Sequence, residues 1–143
     1  MGGYFGTALM VDLTERSVEE SLLPGEWYRD YIGGEGIGTR LLLDLVDAEA
    51  DLLAPCQPLI FTTGSLTGTA APASGRCAVV FRSPLTGTLG AANAGGHFAP
   101  ALKRAGYDVL VGTGRAETPV ILVVDDDGVD FLEAEDAWGK GIN

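Results

Sequence analysis

The sequence predicts an α+β domain made mostly of antiparallel β-sheet with a few short helices. Short apolar runs bounded by turn residues outnumber the segments whose apolar residues recur at helical spacing. Most neighbouring runs are linked as hairpins, which disfavours a parallel Rossmann layout. A chain of 143 residues, 46% of them hydrophobic, has the size of one domain with its own core.

The N-terminal part of the chain predicts a hairpin followed by two helices. Two β-prone runs, Thr7–Asp12 and Ser17–Leu22, flank a short polar link, as in a β-hairpin. After Pro24, apolar residues recur at helical spacing on both sides of Gly33 and Gly34. Two short helices should therefore meet at this glycine elbow.

The middle of the chain predicts strands separated by loops of small residues. The segments PLIFTTGSL and RCAVVFRS are interpreted as strands, and the loop TGTAAPASG between them has no bulk to fill a core. The next segment, PLTGTLGAANAGG, is interpreted as a glycine-rich loop.

The last third predicts one helix and three strands. FAPALKRAG is typical of a short helix that stops at Gly106. YDVLVGTG supplies one strand and VILVVDDDGVDFL supplies two, joined by a hairpin turn at Asp125 to Gly128. A calcium loop is disfavoured there because its spaced ligands and distal Glu are absent.

Composition excludes some partners. The net charge is −11, from 20 acidic and 9 basic residues, so nucleic acid is a poor partner. The apolar runs are far shorter than the roughly 20 residues that span a bilayer, and no signal pattern opens the chain. We expect a cytoplasmic protein without membrane contact. The acid-rich surface suits either a high-salt environment or ordinary solubility.

Familiar enzyme motifs are missing from the sequence. There is no Gly-x-Ser-x-Gly elbow or Walker phosphate loop, and GGEGIG lacks the spacing of a dinucleotide-binding loop. Cys56, Cys77 and His97 are too few for a zinc or iron–sulfur site, so both cysteines are interpreted as buried apolar residues. His97 is either structural or an acid or base, and no catalytic residue is predicted.

An anion site is the one chemical feature that the pattern favours. A helix that starts near Phe98 offers free backbone N–H groups, and Gly95 and Gly96 allow a ligand close to the backbone. Arg76, directly after the small-residue loop, has a planar group suited to phosphate. The alternative is that the glycines only form a tight turn and that Arg76 only pairs with a surface acid.

Several motifs together resemble a known family. YIGGEGIGTRLL, PLIFTTGSLTGTAAPASG and SGRCAVVFRSPLTGTLGAANAGGHFAPALKRAGYD occur in one order, within a match that runs from GYFGTALMVDLT to DAWGK. In this the chain resembles the N-terminal domain of the tungsten-containing aldehyde:ferredoxin oxidoreductases.

The resemblance implies a fold, an activity and cofactors. The implied fold has two intertwined sheets with pseudo-two-fold symmetry. Enzymes of this family oxidise aldehydes to carboxylic acids and pass electrons through a [4Fe-4S] cluster to ferredoxin. Tungsten or molybdenum is held by two pterins, whose phosphates are bridged by magnesium. The cluster cysteines belong to later family segments, and nothing suggests that Cys56 or Cys77 replaces them.

The resemblance also implies particular site residues. Arg76 matches a pterin-contacting Arg, and Asn93 matches the Asn whose backbone carbonyl helps to hold magnesium. Ala94 and Gly95 match neighbouring pterin contacts, and Gly96 is a further candidate.

Residues 1–143 should form one pterin-supporting domain of a longer protein. We expect the chain to be truncated before the cluster-binding domains and inactive alone, with those domains, an aldehyde and ferredoxin as partners. The alternative is a non-catalytic binding or assembly module that keeps the scaffold without the cofactor. An apolar face left uncovered would favour a homo-oligomer.

Overall fold

A computed structural model of the protein describes residues 3–125 and 128–141. The described residues form eight strands and three helices. In chain order these are β1 (Thr7–Asp12), β2 (Ser17–Leu22), α1 (Gly25–Asp30), α2 (Glu35–Leu45), β3 (Leu59–Thr62), β4 (Cys77–Arg82), β5 (Leu89–Ala94), α3 (Phe98–Arg104), β6 (Val109–Thr113), β7 (Val120–Val124) and β8 (Val129–Glu133).

The strands form two sheets. The larger has the order β2-β1-β6-β3-β4-β5, and β7 pairs with β8 separately. All neighbouring strands run antiparallel except β1 and β6, which are parallel. The predicted α+β class with mostly antiparallel sheet is therefore confirmed. The intertwined, pseudo-two-fold arrangement stays a prediction.

The core lies on both faces of the larger sheet. Side chains alternate between the faces of a strand, so Ala8 of β1 packs under α1 and α2 while its neighbour Leu9 packs toward α3. The β7–β8 hairpin covers part of the second face, where Leu122 and Phe131 contact the buried cluster. The central strands β1 and β6 are thus covered on both sides.

The helices and most strands lie where the pattern predicts them. Gly106, with φ of 95°, ends α3 and donates its N–H to the Lys103 carbonyl at 3.0 Å. β7 and β8 form the predicted hairpin, although residues 126 and 127 of its turn lie outside the described residues. Within the described ranges, no helix has the length and apolar character needed to cross a bilayer.

The prediction of a loop over PLTGTLGAANAGG is wrong for its second half, which forms β5. Glycine, alanine and asparagine have low strand propensity, but β5 pairs with β4 over its whole length, from Cys77↔Ala94 to Arg82↔Leu89. The ring of Phe81 covers Gly90, where an added Cβ would lie 2.6 Å from Cε2 of that ring. Cross-strand pairing therefore outweighs local propensity here.

Replacing Gly38 with alanine should destabilise the fold. Gly38 faces the sheet from within α2, and a Cβ there would lie 2.6 Å from Cγ2 of the fully buried Val80. Overpacking costs about 1–3 kcal/mol, and the better helix propensity of alanine offsets at most about 1 kcal/mol. Urea denaturation measures the change. Gly25→Ala is the control, because a Cβ at Gly25 meets nothing within 4 Å. Equal stability of both variants would contradict the prediction.

Candidate functional site

A cleft of about 340 Å³ opens where α2 begins, beside β3 and β4. Three segments supply its walls: the glycine elbow before α2, the loop that follows β3, and the adjoining parts of β4 and β5. The lining residues are Ile32, Gly33, Gly34, Glu35, Thr62, Gly64, Ser65, Leu66, Thr67, Ala73, Ser74, Arg76, Cys77, Ala78 and Asn93.

The glycine elbow depends on residues without side chains. Gly33 has φ of 142° and Gly34 has φ of 53°, values that favour glycine. Gly34 donates its N–H to the Thr63 carbonyl at 2.9 Å, and a Cβ on Gly33 would lie 3.3 Å from the same oxygen. The elbow is therefore tied closely to the end of β3.

The loop after β3 is held by its own hydrogen bonds. Thr67 accepts the N–H of Gly64 at 2.9 Å through Oγ1, and the same hydroxyl donates to the Arg76 carbonyl at 3.4 Å. A Cβ added at Gly75 would lie 2.9 Å from the Gly96 carbonyl oxygen. The fold thereby brings the SGR motif against the AGG motif, which is 20 residues away in the sequence.

Arg76 has a free guanidinium in this cleft. Its side chain is exposed and makes no hydrogen bond or ion pair with any described residue. Most other bases are engaged: Arg16, Arg29, Arg40 and Lys103 form ion pairs, and Arg82 donates to three backbone carbonyls. The alternative in which Arg76 pairs with a surface acid therefore finds no support in the described part of the chain.

Asn93 is the second predicted site residue in the cleft. It is exposed on β5, paired opposite Ala78 of β4. Ala94, Gly95 and Gly96 follow it directly but are absent from the described cleft lining. All three are exposed, and a Cβ at Gly95 or Gly96 would meet nothing within 4 Å. The cleft thus brings Arg76 and Asn93 together and leaves the other three candidates beside it.

The start of α3 lies at Phe98, as predicted. The helix has seven residues, and His97 at its N-cap makes no side-chain capping bond. Its role in anion binding stays a prediction. Cys77 is buried as predicted, but Cys56 is exposed, so the interpretation of Cys56 as a core residue is wrong. Among the described residues, no group of three His, Cys, Asp or Glu side chains could hold a metal ion.

Asp108, Lys103 and Tyr28 form a buried ionic cluster behind the cleft, which the sequence analysis did not predict. Asp108 and Lys103 form an ion pair with only 2% and 6% of their side chains exposed. Asp108 Oδ2 also accepts from the Tyr28 hydroxyl at 2.9 Å. Burial, together with this carboxylate, raises the pKa of Tyr28 well above its usual value. One sequence signal could have indicated the cluster: Lys103 follows Ala99 by four residues, so both lie on the same face of α3, and that face is buried.

The Asp108 backbone links this cluster to the cleft. Its carbonyl accepts the N–H and the Oγ1 hydroxyl of Thr63, each at 2.9 Å. Thr63 in turn accepts the N–H of Gly34. A continuous hydrogen-bonded path therefore runs from the buried acid to the glycine elbow.

Known proteins match almost the whole chain. Residues 8–143 match the family model described as the N-terminal domain of aldehyde ferredoxin oxidoreductase. The tungsten-containing aldehyde ferredoxin oxidoreductase of Pyrococcus abyssi is 41% identical over 140 residues, covering 98% of this chain and 23% of that protein. The protein of the same description from Thermococcus kodakarensis is 41% identical over 143 residues, covering 100% of this chain and 24% of that protein.

A solved structure has the same fold. The active-site complex BamBC of benzoyl coenzyme A reductase, bound to 1,5-dienoyl-CoA, matches with a TM-score of 0.92 and 35% identity. The match covers 97% of this chain and 21% of that chain. The chain therefore spans about a quarter of the length of its curated relatives. It belongs to the aldehyde ferredoxin oxidoreductase N-terminal domain family.

Proposed function

We propose that this chain is the N-terminal domain of a longer cytoplasmic oxidoreductase and supports its tungsten–pterin cofactor. The whole protein would oxidise aldehydes to carboxylic acids and deliver the electrons to ferredoxin through a [4Fe-4S] cluster bound by its other domains. The observation that carries the proposal is the free guanidinium of Arg76, which shares a cleft with Asn93 and a glycine elbow in a member of this family.

The residues fit the phosphate and magnesium end of a pterin cofactor. The planar fork of Arg76 suits two hydrogen bonds to a phosphate group. Asn93 would offer its backbone carbonyl to magnesium, an ion that prefers oxygen ligands. Ala94, Gly95 and Gly96 would allow the cofactor close to the backbone. Tungsten, or molybdenum in its place, supplies the redox chemistry when the cofactor is bound, while the chain binds and orients it.

Glu35 gives the cleft a negative charge as well. It lines the same cleft as Arg76, at the N-terminal end of α2, where the helix dipole favours an acid. A bare anion would be repelled by this carboxylate. A phosphate paired with magnesium presents both signs of charge, so it suits a cleft that contains one base and one acid.

The full-length protein tests the proposal. Tungsten is measured by elemental mass spectrometry, pterin by fluorescence after oxidative release, and activity by aldehyde-dependent reduction of ferredoxin. We expect stoichiometric tungsten and pterin with aldehyde oxidation, and neither cofactor nor activity in residues 1–143 alone. Full-length protein without tungsten and pterin would overturn the proposal and favour the non-catalytic module.

A second candidate function concerns the substrate. The TM-score of 0.92 to an active-site complex of benzoyl coenzyme A reductase favours a reductase that acts on an aromatic acyl-CoA. The same preparation distinguishes the two functions. Turnover of benzoyl-CoA with a reduced electron donor, without aldehyde oxidation, would select this candidate while leaving the cofactor role of the domain unchanged.

A further inference from the structure

Ile32 has a strained backbone in the wall of the cleft. Its φ is 66°, in the left-handed region, which is unfavourable for a β-branched residue. The residue is 69% exposed, so burial of its side chain does not explain the conformation. Such strain persists only where the surroundings impose it, and it is common at binding sites.

Three hydrogen bonds impose this conformation. The N–H of Gly33 donates to the Tyr31 carbonyl at 2.7 Å, and the N–H of Gly34 donates to the Thr63 carbonyl at 2.9 Å. The third comes from a side chain, because the Tyr4 hydroxyl donates to the Ile32 carbonyl. Tyr4 lies 28 residues away in the sequence, so this bond joins the N-terminal segment to the cleft wall.

The buried ionic cluster fixes the position of Tyr4. The Tyr4 ring packs on Tyr28 with 4.3 Å between the ring centroids, and the Lys103 ammonium lies 5.5 Å from the Tyr4 centroid. Asp108 Oδ2 accepts the N–H groups of the next two residues, Phe5 at 2.9 Å and Gly6 at 2.7 Å. The ring and the backbone after it are therefore both anchored to the same buried charges.

We propose that Tyr4 is a positioning residue for the cofactor cleft: its hydroxyl holds Ile32 in the strained conformation that sets the glycine elbow, and the Asp108–Lys103–Tyr28 cluster holds Tyr4. Without this bond, Ile32 relaxes toward negative φ and turns Gly33 and Gly34 away from the cleft. Tyr4 itself need not contact the cofactor. The cofactor part of this inference depends on the proposed function, whereas the control of the elbow does not.

The test compares two tyrosine variants of the full-length protein. Tyr4→Phe removes the hydroxyl but keeps the ring on Tyr28. Tyr107→Phe is the matched control, because it removes a hydroxyl bonded to Glu20 at 2.7 Å in a part of the fold that does not line the cleft. We expect cofactor release during dialysis to be roughly three- to tenfold faster in Tyr4→Phe, the effect of one hydrogen bond. Tyr107→Phe should release the cofactor at the wild-type rate.

Amide hydrogen exchange provides a readout that does not depend on the cofactor. Exchange over residues 31–36 should be faster in Tyr4→Phe and unchanged in Tyr107→Phe. Adding Ile32→Gly to Tyr4→Phe should restore slow cofactor release, because glycine adopts positive φ without strain. A general loss of stability would not be rescued in this way.

The outcomes separate the two proposals. Equal exchange over residues 31–36 in both tyrosine variants, or failure of Ile32→Gly to restore retention, would overturn the positioning role. Wild-type full-length protein without tungsten or pterin would overturn the proposed function instead. In that case the exchange comparison alone would decide whether Tyr4 controls the elbow.

Discussion

Replacing Arg76 with alanine in the full-length protein should weaken cofactor retention by roughly 10- to 150-fold, because hydrogen bonds to charged groups contribute about 1.5–3 kcal/mol. Arg76 is the one cation in the described lining of the cleft, so no other lining residue can replace its charge. Arg76→Lys should recover part of the loss, since lysine keeps the charge but not the planar fork. Tungsten and pterin content after dialysis measures the effect.

Arg115→Ala is the matched control for this variant. Arg115 is also exposed, and its guanidinium makes no hydrogen bond or ion pair with a described residue. It lies near β7, outside the described cleft lining. Removing its charge alters the net charge of the protein equally. If Arg115→Ala and Arg76→Ala lose the same amount of cofactor, the effect is one of overall charge and the role of Arg76 is refuted.

Replacing Lys103 with methionine should destabilise the fold by about 3–5 kcal/mol, the usual effect of removing one partner of a buried ion pair. Asp108 would keep the N–H groups of Phe5 and Gly6 and the Tyr28 hydroxyl but would lose its counter-ion. A buried carboxylate without a counter-ion is costly. Urea denaturation, with the slope checked for two-state behaviour, measures the change.

Two further variants isolate the buried charge. Lys103→Met combined with Asp108→Asn should recover much of the lost stability, because no uncompensated charge stays in the core. Arg40→Met removes one partner of an exposed pair with Asp44 and should change stability by less than about 1 kcal/mol. A double variant as unstable as Lys103→Met would show that packing of the lysine stem, rather than charge, dominates.

Local sequence patterns were enough to predict most helices and strands of the fold. The hairpin of β1 and β2 and the helices around Gly33 and Gly34 each have a period and turn residues within a short window. β5 lacks an apolar period, and its Gly and Asn residues indicate a loop. Its strand conformation comes from hydrogen bonds to β4 and from the Phe81 ring over Gly90. The strand propensity of a single segment does not include the stabilisation that comes from pairing with another strand.

The site likewise combines residues that local motifs predict with residues that come together only on folding. Arg76 and Asn93 stand in recognisable motifs, and the fold places them in one cleft. Tyr4 and Ile32 carry no motif, and their bond joins residues that are close only after folding. The ion pair of Lys103 and Asp108 is local in sequence, but its importance depends on burial, which the sequence does not reveal.

Amine-reactive reagents will find few targets on this chain. The sequence has two lysines, and Lys103 is 5% exposed with its ammonium engaged by the Gly3 carbonyl and by Asp108. Lys140 is exposed after β8, in a segment that supplies none of the described cleft lining. A fluorophore coupled to an ε-amine of the folded domain should therefore attach at one position. It would report on the domain without blocking the cleft and without an introduced cysteine.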